Sequence, residues 1–203
     1  MRWLQKIDAP QRAASGDGVV ERLVAVDPAL PMLELARARI AREWPDTPPW
    51  LAFAPGRVPD FCPPAYDRLR FDVVCGSLVL HDMLDGRDDE SVVALLRALA
   101  RRLRPGGALV FADCFPAHAA AARAEEFATW ETWMTDVAGL APDAVEAFRA
   151  GNPEVVAMRS HDVLRAAATL VASDATLHVE EGRGAPGGSP WRVVTMVFPT
   201  PPA

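Results

Sequence analysis

Arg22-Leu23-Val24-Ala25-Val26-Asp27-Pro28 enters an almost unbroken apolar run and leaves it at an acid and a proline. The run is too short for a buried helix and is rich in β-branched residues. It therefore reads as a strand buried on both faces of a parallel sheet. From about Leu30 to Glu43, Met32, Leu33, Ala36 and Ile40 recur at helical spacing until Pro45 ends the run. A strand, a tight turn and a helix in that order form the repeating unit of a sheet whose strands run parallel.

The same alternation continues downstream. Trp50-Leu51-Ala52-Phe53 is the one strand expected in a proline-rich stretch, and Phe71 to Ser77 is a second strand buried on both faces. A helix capped by Asp88 or Asp89 has Val92, Leu96, Leu99 and Leu103 on one face, and Arg104-Pro105-Gly106-Gly107 is expected to stop it. Ala108 to Ala112 is the next strand. Residues 119 to 138 form a helix with Phe127, Trp130, Met134 and Val137 on one face, and Pro142 to Ala150 a further helix. A last helix, capped by Ser160, carries Val163, Leu164, Ala167 and Leu170. Ala175–Glu181 and Trp191–Phe198 then pair as a C-terminal antiparallel β-hairpin. The expected fold class is α/β: a three-layer sandwich around a mostly parallel sheet with one antiparallel edge strand. Upstream, residues 2 to 14 are weakly helical, and Ser15 to Gly18 make a turn.

Length and composition narrow the rest. The chain of 203 residues, half of them apolar, suits one domain over 1–203. A formal charge of −6 argues against a nucleic-acid partner, because phosphate binding needs clustered cations. Arg101, Arg102 and Arg104 read as a solvated helix end. Cys62, Cys75 and Cys114 are odd in number and not in CxxC pairs, so neither a disulfide framework nor a metal site is expected. The first residues lack the apolar run of a signal peptide, and no stretch approaches a membrane span. A cytoplasmic protein without a membrane partner is expected.

In parallel sheets ligands bind beyond the carboxyl ends of the strands. That singles out Asp27, the segment after Phe53, Cys75 to Asp82, and Asp113 to Pro116. Asp27 reads two ways: as a helix-capping aspartate, or as a carboxylate accepting hydrogen bonds from the vicinal diol of a ribose.

Four segments carry a resemblance over about residues 20 to 198: Leu23 to Pro28 with Met32-Leu33, Phe71 to Val74 through Ser77-Leu78-Val79-Leu80-His81, Leu103 to Gly107, and the closing hairpin. Together they resemble a class I S-adenosylmethionine-dependent methyltransferase, a Rossmann-like fold. The resemblance implies S-adenosylmethionine as cofactor and a small-molecule methyl acceptor as substrate. It puts Asp27, with Pro28, at the cofactor's ribose. Gly76, Ser77 and Leu78 fall at its methionine portion, and His81 near the acceptor. His81 is also read as a packing residue, or as a general base. Residues from about 117 to 159 resemble a helical cap. There Trp130, Trp133 and Arg159, with His161 beside them, either line an acceptor pocket or pack against the sheet.

The chain departs from the family pattern in two respects. No GxGxG loop is present, and Gly16-Asp17-Gly18 has no apolar strand before it. The first, central strand is expected to be missing, as from a misplaced start or a truncated gene, which leaves its neighbours unpaired and cofactor binding impaired. After Phe53, where the family often has an acid for the adenine amine, stand Ala54-Pro55-Gly56, and no adenine contact is assigned there. The leading expectation is methyl transfer. The alternatives are a non-catalytic remnant or interaction module and, third, a nicotinamide oxidoreductase. Oligomeric state is not legible.

Overall fold

The structure is a computed structural model that describes residues 22–44, 46, 48–56, 69–77, 79–84, 88–152, 159–181 and 187–202. The expected helix over 2–14, the turn at 15–18, Cys62 and Leu78 lie outside the described residues. The chain divides into two compact units between Arg68 and Leu69.

In the first unit, β1 (Leu23–Asp27) and β2 (Leu51–Pro55) pair in parallel, from Leu23 opposite Leu51 to Asp27 opposite Pro55. The second strand starts one residue later than expected and runs two further. Between them α1 (Leu30–Glu43) supplies the crossover. Pro31 falls in its first turn, where a missing N–H is harmless. Its buried stripe is Leu33, Ala36 and Ile40. Met32, expected on that stripe, stands about 100° away from Leu33 around the axis and is exposed.

The second unit holds β3 (Phe71–Ser77), β4 (Leu103–Cys114), β5 (Thr176–Glu181) and β6 (Trp191–Phe198) in the order β3-β4-β6-β5. β3 and β4 are parallel, and β6 is antiparallel to both β4 and β5. The strand expected at an antiparallel edge is therefore internal, and β5 takes the edge. This suits β6, whose Val194, Met196 and Phe198 are fully buried and whose backbone pairs on both sides.

Helix boundaries and faces correct three further expectations. The helix after Asp88, α3 (Asp89–Ala100), already ends at Ala100. The Arg102 N–H turns back to Leu99, so Leu103 lies in β4 and Arg104 to Gly107 form an irregularity within the strand. Phe71 pairs with Leu103 but Val73 with Ala108, so the extra residues bulge opposite Asp72, which Arg104 holds at 3.1 Å. Val137 and Leu170, expected to pack, are the most exposed of the large apolar side chains, because each falls beyond its helix's buried stripe.

β3, expected to be buried on both faces, exposes Asp72, Val73, Cys75 and Ser77. Among the described residues β1 pairs only with β2 and β3 only with β4, so each presents one unpaired edge there.

The core of the second unit lies between α3 and α6 (His161–Val171), which pack together. Val92, Leu95, Leu96 and Leu99 are buried on one, and Leu164, Ala167, Ala168 and Val171 on the other. Asp88 accepts the Ser91 N–H at 2.8 Å and caps α3. Ser160 occupies the corresponding position of α6 without a side-chain cap bond. A second cluster is built by α4 (Ala120–Asp136) and α5 (Pro142–Gly151), where Phe127, Trp130, Met134 and Val145 bury Cys114.

Candidate active site at the carboxyl ends of the strands

β3 ends at Ser77, and a five-residue helix, α2 (Leu80–Leu84), stands where a loop was expected. Leu80 and Leu84 anchor it in the core. Its opening N–H groups have no partner within so short a helix, and the strand beside it supplies one. The carboxylate of Asp113, on β4, accepts Leu80 N–H at 2.9 Å and His81 N–H at 3.2 Å on Oδ2. It also accepts Cys114 N–H at 2.8 Å on Oδ1. The His81 imidazole Nδ1 lies 2.9 Å from Oδ1 and 3.1 Å from Oδ2 of the same acid.

This arrangement fixes the histidine chemically. An ionised carboxylate can only accept, so Nδ1 carries the proton, and a neutral ring then has its lone pair on Nε2. The side chain of Asp113 is 1 % exposed and that of His81 12 %, so the acid is sealed and the ring only partly so. Burial, with the Asp113 charge beside it, pushes the Cys114 thiol far up and keeps it protonated. Asp113 belongs to a strand end that sequence reading singled out, but it received no role there. The available signal was an acid closing the apolar run from Ala108 to Ala112.

The segment after Asp113 is held just as closely. Phe115 N–H donates to Pro190 O at 2.7 Å, and Arg192 Nη1 donates to Phe115 O. Ala117 N–H donates to Glu126 Oε2 at 2.7 Å, and Arg123 Nε to Ala117 O at 3.2 Å. Arg192 Nη2 closes the set by donating to Glu126 Oε1.

The structure separates the other candidates. Trp130 is buried between Phe127, Phe148 and Trp191, with ring centroids 5.5–6.2 Å away, in the packing position that was one of its two readings. Trp133 is partly buried against the same cluster. Arg159 pairs with Asp89 at 2.9 Å. His161 opens α6 with a buried Nδ1 that has no hydrogen-bond partner among the described residues. Gly76 is packed so closely that a Cβ would stand 2.5 Å from a Val79 methyl, and Ser77 is exposed.

In the first unit Asp27 ends β1, and its Oδ1 accepts Ala29 N–H at 2.7 Å, with the exposed Pro28 between them. This is a turn bond two residues on and not a helix cap: the N-cap of α1 is Ala29 and no side chain caps it, so the capping reading of Asp27 is not met. A carboxylate has about four lone-pair positions, so one such bond leaves acceptor capacity for a diol. To that extent the side-chain chemistry at Asp27 fits the ribose of S-adenosylmethionine. Among the described residues no group of three or more His, Cys, Asp or Glu is arranged to hold a metal. No described helix is long and apolar enough to cross a membrane.

A family model described as a methyltransferase domain matches residues 9–111. No curated protein matches the sequence. Solved structures similar to the chain include a possible exported protein from Bordetella parapertussis, at 21% identity and a TM-score of 0.52, covering 91% of this chain and 55% of that one. The CMeT domain of the citrinin polyketide synthase is similar at 13% identity and a TM-score of 0.56, covering 96% of this chain and 42% of that one. The N-methyltransferase NodS from Bradyrhizobium japonicum WM9 is similar at 15% identity and a TM-score of 0.51, covering 88% and 74%. The chain thus spans about half the length of the first two. With the model matched over more than half its residues and the Rossmann-like α/β fold shared with these structures, this chain belongs to the class I S-adenosylmethionine-dependent methyltransferases.

Proposed function

We propose that the chain transfers the methyl group of S-adenosylmethionine to a small-molecule acceptor whose proton His81 removes. The observation that carries this reading is the Asp113–His81 contact of 2.9 Å, which leaves Nε2 as the basic nitrogen. When bound, the cofactor supplies an electrophilic methyl on a sulfonium. His81 accepts the acceptor's hydroxyl or amine proton at Nε2, and Asp113 stabilises the resulting imidazolium without taking that proton.

Asp27, with Pro28 beside it, is assigned to the ribose, and Gly76, Ser77 and Leu78 to the methionine portion, as the family resemblance implies. Trp133, with Trp130 behind it, and Arg159 are assigned to the acceptor, within a cap insertion at about 117–159 of one methyltransferase-like domain. Nucleic acid and membrane are not among the partners proposed, and the location is cytoplasmic. A second reading, a non-catalytic remnant, is favoured by one fact: the sequence contains no GxGxG loop.

The test is transfer of labelled methyl from millimolar S-adenosylmethionine to a panel of small hydroxyl and amine acceptors. His81→Gln is expected to lower turnover by about 10²–10⁴-fold, the usual size of general-base assistance, and to leave cofactor binding unchanged. Equal turnover in the parent and His81→Gln would remove the base role. Absence of both transfer and cofactor binding would favour the remnant.

A further inference from the structure

Arg192 is the residue of β6 directly opposite Asp113 on β4. Side chains of directly opposed residues lie on one face of the sheet, with Cβ atoms about 4.5–5.5 Å apart, a spacing at which opposite charges ordinarily pair. Here they do not. Arg192 turns to Glu126 on α4 and to the Phe115 carbonyl, whereas Asp113 gives both of its oxygens to His81 and three backbone N–H groups.

Both members of the Glu126–Arg192 pair are nearly buried, with side chains 12 % and 15 % exposed. Taking two charges out of water costs several kcal/mol per ion, and an apolar pair of the same volume is often as stable. Packing alone therefore gives no reason for this pair.

We propose that Glu126 selects the partner of Arg192: it holds the guanidinium away from Asp113 and so keeps Asp113 committed to His81. The proposal rests on the base role given to His81 above. Glu126 is a positioning residue in this scheme, acting on His81 through Arg192 and Asp113. Its second oxygen, on Ala117 N–H, ties the same side chain to the segment that follows Asp113, so its own place does not depend on Arg192.

The experiment follows the His81 Nδ1 proton by imidazole ¹H–¹⁵N NMR in the whole chain, without cofactor or acceptor, assigned by its loss in His81→Gln. Arg192 lies directly opposite Glu181 on β5 as well as Asp113 on β4, and Glu126→Gln keeps an oxygen for Ala117 N–H but frees Arg192 to turn to Asp113. The His81 Nδ1 proton is then expected to exchange with water at least tenfold faster. Adding Arg192→Met removes the competitor and is expected to restore the parental rate, although it also deletes the bond to Phe115 O. An unchanged rate in Glu126→Gln overturns the proposal. So does a double variant that stays as fast as the single one, because loosening of the fold gives no reason for rescue. Thermal midpoints of the variants identify loss of folding separately. The readout needs no turnover, so a chain that shows the rescue yet transfers no methyl supports the selector and overturns only the proposed function.

Discussion

Asp113 gathers four donors on two oxygens, and how its variants fail depends on how many of those donors they orphan. Asp113→Ala leaves three backbone N–H groups and the His81 ring without an acceptor. Each buried unsatisfied group costs about 1–3 kcal/mol. Asp113→Asn keeps one oxygen and is expected to lose clearly less stability in urea unfolding, yet to lower turnover strongly, because it no longer offers a charge to an imidazolium. Equal stability loss in the two variants would show that the backbone contacts contribute little.

Cys114 adds a pH dependence of known sign. Its thiol is pushed up in the folded chain, while an unfolded thiol releases its proton near pH 8.5. The folded state therefore has this contribution in full below about pH 8.5 and loses it as pH rises. The loss reaches about 1.4 kcal/mol by pH 9.5. Urea midpoints between pH 7 and 9.5 are expected to fall, and Cys114→Ala to reduce the fall.

The irregular start of β4 is explained by two glycines with different duties. Gly106 has φ 77° and open space around it, so Gly106→Ala meets only the left-handed backbone penalty, about 1–2 kcal/mol. At Gly107 a Cβ would lie 2.9 Å from Arg104 O and 3.1 Å from Asp72 O, both backbone atoms that cannot swing away. Gly107→Ala is expected to be the more damaging, by thermal midpoint, with overpacking adding to about 1–3 kcal/mol. The reverse order would mean that the bulge relaxes without harm.

This stretch also marks where the sequence stopped being legible. Proline and two glycines read as a helix stop, which local chemistry permits. That they interrupt a strand follows from Asp72 on the neighbouring strand, which no local window contains. Elements bounded by their own apolar runs were legible: α1, β3 and β6 begin and end at the residues their patterns indicate. In the candidate site His81 was legible from its place after a strand. Asp113 was not given its role, because its partner lies 32 residues away and only the packing of β4 beside α2 joins them.

For the molecule as a whole, the finest balance concerns the cofactor. S-adenosylmethionine binding at micromolar affinity requires roughly 8 kcal/mol. In this family pattern a glycine-rich turn provides close backbone approach, and residues 1–203 contain no GxGxG. Asp27 offers a charge-assisted acceptor, but such a bond contributes only about 1.5–3 kcal/mol net, and one of its oxygens already receives Ala29 N–H. The carboxylate therefore falls short of the requirement by several kcal/mol when it acts alone. Titration calorimetry of the chain with S-adenosylmethionine is expected to give a dissociation constant of about 100 µM or weaker, a binding energy of roughly 5.5 kcal/mol or less. Asp27→Ala should weaken it by a further tenfold or more. Micromolar binding in the parent would overturn this expectation. If that binding also disappeared in Asp27→Ala, the ribose contact would be real, and other groups of the chain would have to supply the remaining energy.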